Sequence, residues 1–196
     1  MYKLVLILFA SIALSAQAQQ SPENPTPMTS DADNSIIAPK STYPTYEPPE
    51  QTTTLTKADW VHVKKSQRRM FLMFGDDVIT EYRIALGSSP RGHKVEQGDQ
   101  KTPEGHYRLS FIMEESAFHR SMHITYPNYK DQAHADRLGI DPGGDIKIHG
   151  IKNDDVRDPQ FIQSFDWTNG CIAISNEEMD EFLALVEVGT PIFIEW

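Results

Sequence analysis

Alternation of apolar and polar positions dominates the second part of the chain. Residues 59–65 read DWVHVKK and residues 68–74 read RRMFLMF, followed by a Gly75-Asp76-Asp77 break and VITEYRIALG at 78–87. Two β-branched and aromatic runs on either side of such a break predict a hairpin. Further runs of the same kind predict strands at GHYRLSFIME (105–114), MHITY (122–126), DIKIHG (145–150), CIAIS (171–175) and TPIFIEW (190–196). One segment carries a helical period instead. In SNEEMDEFLALVEVG (175–189), Met179, Phe182, Leu183 and Val186 fall at i, i+3, i+4 and i+7 and form one apolar stripe. Ser175 followed by Glu178 fits a capping box, and Gly189 supplies a stop. The stripe reads as core, packed on a sheet. Many strands with one firm helix predict a β-rich α+β domain of sandwich-like build, with a single packed C-terminal helix.

The first part of the chain has no such pattern. Residues 19–57 are rich in Pro, Ser, Thr and Asn with no sustained apolar period, which predicts an extended tether unable to offset its own ordering entropy. Before it stand Lys3, an apolar run from Leu4 to Leu14 and the small-x-small triplet Ala16-Gln17-Ala18. That arrangement predicts a secretory signal peptide over residues 1–18, cleaved after about Ala18. The run is too short to span a bilayer and no second one follows, so no transmembrane segment is expected. The expected organisation is a leader, a tether over 19–57 and one globular domain over 58–196, in a periplasmic or cell-envelope location.

Charge narrows the partners. The formal net charge is -10, and basic runs are limited to short ones such as Lys64-Lys65 and Arg68-Arg69, which read as solvated strand or turn positions. Phosphate-backbone binding needs clustered cations, so nucleic acid is not an expected partner.

Export changes the meaning of the single cysteine, Cys171, because exported proteins usually carry cysteines in even numbers and consume them in disulfides. An unpaired thiol there is buried and inert, paired between chains, or kept for chemistry. Chemistry requires a base brought close by the fold. Among the seven histidines, His149 ends the strand-like DIKIHG, with Gly150 behind it allowing the backbone to turn away and leave the ring exposed. Cys171 starts the strand-like CIAIS after Gly170. If those two strand ends are neighbours, imidazole and thiol can share a hydrogen bond. The pair His119 and His123, with His134 beyond, has the spacing of a zinc pair on a helix. The context looks more like strand and loop, and no HExxH motif is present. No metal and no cofactor is expected. His62, His93 and His106 read as surface or structural residues, and Trp167 as a packing residue. Arg91 and Lys101 are loop cations able to meet an acidic peptide.

At the level of motifs the chain resembles the YkuD-type L,D-transpeptidase catalytic domain (the ErfK/YbiS/YcfS/YnhG-like family). The resemblance is carried by IHG at 148–150, by TNGC at 168–171, by KTPEGHY at 101–107, and by YPNYKD and PGGDIKIHG, and it spans nearly all of 59–196. It implies the YkuD β-sandwich-like fold, Cys171 as nucleophile, His149 as its base, and Thr168 at the Ser/Thr position of the motif. The backbone N–H groups of Gly170 and Cys171 become candidates for an oxyanion hole. Gly150, Thr168 and Asn169 become candidates for the substrate cleft.

The activity so implied is acyl transfer on peptidoglycan stem peptides through a thioacyl-enzyme, at the diamino acid. The acceptor is left open: an amine, a D-amino acid, an envelope lipoprotein lysine, or water, the last making the protein an L,D-carboxypeptidase or amidase. Two positions depart from the common pattern. Asn169 stands where many members have His, and Ala173 where many have Arg or Asn, both expected near the substrate. They motivate a second reading, a non-catalytic peptidoglycan-binding module. A third, an intermolecular disulfide through Cys171, is the least economical.

Overall fold

The computed structural model describes residues 56–196. The expected leader, and the tether apart from Thr56 and Lys57, lie outside the described residues. The strands are β1 (Trp60–Lys64), β2 (Arg69–Phe74), β3 (Asp77–Arg83), β4 (Gly105–Ser116), β5 (His119–Ile124), β6 (Lys147–His149), β7 (Ile172–Ala173) and β8 (Pro191–Glu195). The helices are α1 (Tyr129–Leu138), α2 (Pro159–Ile162) and α3 (Asn176–Leu185), with one 3-10 turn at Lys65–Gln67.

All eight strands join one mixed sheet in the order β3-β2-β1-β8-β4-β5-β6-β7. The pairs β1–β8 and β6–β7 are parallel and the remaining pairs antiparallel. The long strand β4 serves both halves: Gly105 to Arg108 pair with β8, whereas Leu109 to Ser116 pair with β5 through two register shifts. Bulges raise the local twist, so the sheet bends along β4 and its two halves face a common core. Val61, Val63, Met70, Leu72, Leu109, Met122, Ile124, Ile148, Ile172 and Ile192 supply that core from the strands. The β-rich α+β class expected from the pattern is the one observed.

Helix α3 fills the concave side. Met179, Phe182 and Val186 are buried and Leu183 packs at the margin, so the apolar stripe lies where its period put it. Its start is the reciprocal capping box, with Ser175 Oγ accepting from Glu178 N at 3.2 Å and Glu178 Oε2 accepting from Ser175 N at 2.8 Å. Its stop differs from expectation. The helix ends at Leu185 because Val186 turns extended into the core, and Gly189 serves the following turn at φ +97°.

Helix α1 was not anticipated. It is polar nearly all round, with Ala135 as its buried residue, so it offers no apolar period. Its caps are nonetheless regular: Asn128 accepts from Lys130 N and Asp131 N, Asp131 returns the bond, and Gly139 closes the end in the left-handed region. Helix α2 is a single turn capped by Asp158 with Pro159 at its start.

The basic run at 64–65 does not behave as solvated charge. Lys65 is fully buried, and its Nζ donates to Thr102 O at 2.7 Å, to Gly92 O at 2.9 Å and to Glu104 Oε1 at 2.9 Å. Desolvation lowers its pKa, with Glu104 acting in the opposite sense. Arg68 is fixed as well, by Nε and Nη2 on the Asp166 carboxylate. Two carbonyls and a carboxylate offset part of the lost hydration of one ammonium, and the result ties loop 88–104 to the β1–β2 turn. Thr102 of the KTPEGHY stretch is thereby a buried joint: its carbonyl holds Lys65, and its Oγ1 accepts from Gly87 N at 3.1 Å.

Removing that ammonium leaves a carboxylate and two carbonyls short of a donor. Lys65→Met is therefore expected to cost about 3 kcal/mol in urea unfolding. Lys130→Ala, on the exposed start of α1, should stay within about 0.5 kcal/mol.

Candidate active site

The site is assembled where two parallel strands end. β6 and β7 pair with Ile148 opposite Ile172 and His149 opposite Ala173, and Ile174 N donates to His149 O at 3.0 Å. Cys171, one residue before β7, therefore stands level with Lys147. Alternation along a strand puts Asp145, Lys147 and His149 on one face, and the parallel register puts Cys171 on that same face. The sulfur is thus one step along the strand from the imidazole, a diagonal neighbour.

Both side chains line one pocket of about 330 Å³, together with Phe118, Lys147, Trp167 and Asn169. His149 is only 5% exposed, so the ring is not the solvent-facing group expected at a strand end. It is packed by Phe118, with ring centroids 4.7 Å apart, and by Trp167 edge-on at 5.7 Å. Those aromatic walls remove water, and desolvation lowers the imidazole pKa from 6.5 to about 4. Its Nδ1 lies 2.6 Å from Gly150 O. A carbonyl can only accept, so Nδ1 carries the hydrogen and Nε2 is left with its lone pair.

Gly150 owes its place to space, not to a turn. A Cβ there would come within 2.6 Å of Asn176 Oδ1 and 2.8 Å of His119 Cβ. Asn176 Oδ1 is itself held by Ile151 N at 2.8 Å. Gly150 is buried, and its contribution is the carbonyl that orients the imidazole.

Cys171 is half-buried, and among the described residues its Sγ makes its hydrogen bond to Asp145 O at 3.7 Å. Asp145 presents that carbonyl from a left-handed backbone, φ +58°. Burial raises the thiol pKa, opposed by the backbone and ammonium of Lys147. Lys147 Nζ in turn rests 2.5 Å from Asp145 Oδ1. The lowered imidazole and the raised thiol both favour a neutral thiol beside a neutral base over a resting thiolate–imidazolium pair.

The TNGC turn is drawn tight by Thr168. This side chain is 4% exposed; its hydroxyl donates to Cys171 O at 2.7 Å and accepts from Gly170 N at 3.1 Å. The Gly170 N–H is therefore committed inside the turn, which leaves the Cys171 N–H as the member of the expected oxyanion pair to consider. Gly170 has φ +130°, and a Cβ there would meet Lys101 O at 2.7 Å. Asn169 is exposed and opens both onto this pocket and onto a second one beside Gly143 and Gly144. Ala173 is fully buried and bridged to Ala85, and it is not among the residues that line the pocket of Cys171.

Three of the other histidines have partners or positions of their own. His119 and His123 lie on β5; the first meets Asp180 at 3.0 Å and the second Ser110 at 3.0 Å, and His134 is exposed on α1. Among the described residues no group of three or more His, Cys, Asp or Glu could hold a metal.

Comparison with known proteins gives the family. The model of the YkuD family, the L,D-transpeptidase catalytic domain, matches residues 58–194, and the chain belongs to that family. A candidate L,D-transpeptidase of Escherichia coli (strain K12), YafK, is 28% identical over 140 residues, covering 68% of this chain and 49% of its own. The helical cell shape determining protein Pgp2 from Campylobacter jejuni superposes with a TM-score of 0.54 at 25% identity, over 72% of this chain and 50% of that one. The chain thus spans about half the length of the relatives it matches.

A base held neutral by burial has a measurable signature. The unfolded chain takes up the proton first, near pH 6.5, and the folded one only near pH 4. Stability should therefore fall by about 3 kcal/mol as pH drops through that window. Urea titrations at a series of pH values should show this loss, and His149→Gln should remove most of it.

Proposed function

We propose that this chain is an exported cysteine acyltransferase of the L,D-transpeptidase type, acting on peptidoglycan stem peptides through a thioacyl-enzyme on Cys171. The observation that carries the reading is the shared pocket of Cys171 and His149, with the imidazole hydrogen held on Nδ1 by Gly150 O. The family assignment supports the substrate class.

Because the resting pair is neutral, attack and deprotonation belong to one step. Sγ leaves the Asp145 carbonyl and bonds to the donor carbonyl carbon while Nε2 of His149 takes the thiol proton. Charge on the resulting oxyanion faces the Cys171 N–H. Collapse breaks the carbon–nitrogen bond, and the imidazolium returns its proton to the departing amine. A second amine then attacks the thioester, giving its proton to Nε2, and the thiol is restored. An aromatic-walled pocket favours this route because it destabilises charge on imidazole until the substrate supplies a counter-charge.

Lys147 has a distinct part in this reading. It is the cation of the pocket, and its neighbour Asp145 is 74% exposed along the side chain, so a substrate carboxylate can replace it as partner. Residues 1–18 as a secretory leader place the reaction in the periplasm or cell envelope. Among the described residues no helix is long and apolar enough to cross a membrane.

Incubation of purified sacculi with the mature chain, followed by muropeptide profiling, tests the reading. New crosslinks or exchanged terminal residues are expected with the native chain and none with Cys171→Ala; identical profiles for the two would contradict it. Acylation of the thiol by a carbapenem should hold a steady rate across neutral pH and fall as pH drops toward about 4, where His149 takes up a proton. A rate that climbs continuously from neutral pH toward the ordinary thiol value of 9.0 would instead show attack by a thiolate formed without His149.

A further inference from the structure

A second cleft, of about 520 Å³, lies on the other side of the loop that carries Cys171. Its lining comes from three distant stretches: Ser66 and Arg68 of the β1–β2 turn, Ser89, Arg91 and Lys101 of loop 88–104, and Trp196 beyond β8. The buried Lys65 brings them together by gripping the carbonyls of Gly92 and Thr102.

Four cations gather around one indole. Arg91 stands 5.2 Å from the Trp196 ring centre, Arg68 5.6 Å and Lys65 6.0 Å, and Lys101 adjoins at the cleft wall. Two of the four are balanced, Lys65 by Glu104 and Arg68 by Asp166. Among the described residues Arg91 and Lys101 have no carboxylate partner. In a chain of net charge -10 such an excess is unexpected, because like charges brought together raise the energy of the free protein. An anion in the cleft would relieve it. The geometry also suits recognition: the Arg91 guanidinium offers a planar fork, Lys101 a point charge, Ser66 and Ser89 hydroxyls, and Trp196 an apolar floor.

The cleft is joined to the nucleophile loop by direct packing. Ser88 N donates to Thr168 O at 3.0 Å, and the carbonyl of Lys101 lies against Gly170. Whatever occupies the cleft therefore rests on the segments that back Thr168, Gly170 and Cys171.

We propose that this cleft is an accessory binding site for a carboxylate of an acidic peptide, held by Arg91 and Lys101 over Trp196. The choice of a stem peptide as that ligand rests on the peptidoglycan reading; the anion site itself does not. It positions a second strand of the same polymer against the back of the catalytic loop.

The test uses the full mature chain carrying Cys171→Ala, with the Trp196 indole N–H resonance as reporter, assigned through Trp196→Phe. Three probes are titrated: a stem tripeptide with free carboxylates, the same tripeptide amidated, and inorganic phosphate. The free tripeptide should shift the Trp196 resonance and the amidated one should not. The double variant Arg91→Ala, Lys101→Ala should weaken that response at least tenfold, and raised salt should weaken it further. Lys147→Gln should leave the Trp196 shift in place, since that residue belongs to the other pocket. A tripeptide that leaves Trp196 unmoved, or binds the double variant equally well, overturns the proposal. A shift produced by phosphate alone also overturns it, and assigns the cleft to a phosphorylated ligand. Failure of the native chain to form a carbapenem adduct would contradict the catalytic reading without touching this result.

Discussion

The hydrogen bond between His149 Nδ1 and the carbonyl of Gly150 is the constraint on which the site depends. It decides which ring nitrogen is basic, and it does so through the backbone, so no third side chain is required. The bond demands that Gly150 lack a Cβ, because Asn176 and His119 occupy the space one would fill. It also demands a closed aromatic wall, supplied by Phe118 and Trp167. Burial disfavours an imidazolium and favours the neutral ring, the form that the proposed mechanism uses.

The sheet delivers this geometry at short range and the loops complete it. Parallel pairing of β6 with β7 puts Lys147, His149 and Cys171 on one face at fixed spacing. Thr168 then closes the turn before the sulfur, and loop 88–104 closes it from behind. Lys65 is the fastener of that loop, an ammonium taken out of water to hold two carbonyls and Glu104. Family motifs that look catalytic on paper divide here into two kinds. TNGC and IHG line the pocket shared by Cys171 and His149, and KTPEGHY braces it.

Much of this was legible in the sequence, for physical reasons that can be named. Strand period and the Ser175–Glu178 box located the sheet and α3, because both signals are local. Cys171 and His149 stood out because one is unpaired and the other ends a strand beside glycine. What escaped was long-range. Helix α1 has no apolar stripe, although Asn128, Asp131 and Gly139 were capping signals in plain view. The burial of Lys65 depends on carbonyls far along the chain, and no local pattern reports it. Asp145 and Lys147 were detectable as neighbours of His149, since alternation in DIKIH puts them on its face; their place next to the thiol also needed the parallel pairing of β6 with β7, which no local pattern reports.

The central claim is a neutral imidazole with its hydrogen on Nδ1 beside a protonated thiol. Nitrogen NMR of the histidine-labelled native chain near neutral pH measures it directly. A protonated Nδ1 and an unprotonated Nε2 on His149, persisting until pH approaches about 4, is the predicted result. A ring protonated on both nitrogens at neutral pH, losing that charge in Cys171→Ala, would show an ion pair and contradict the account.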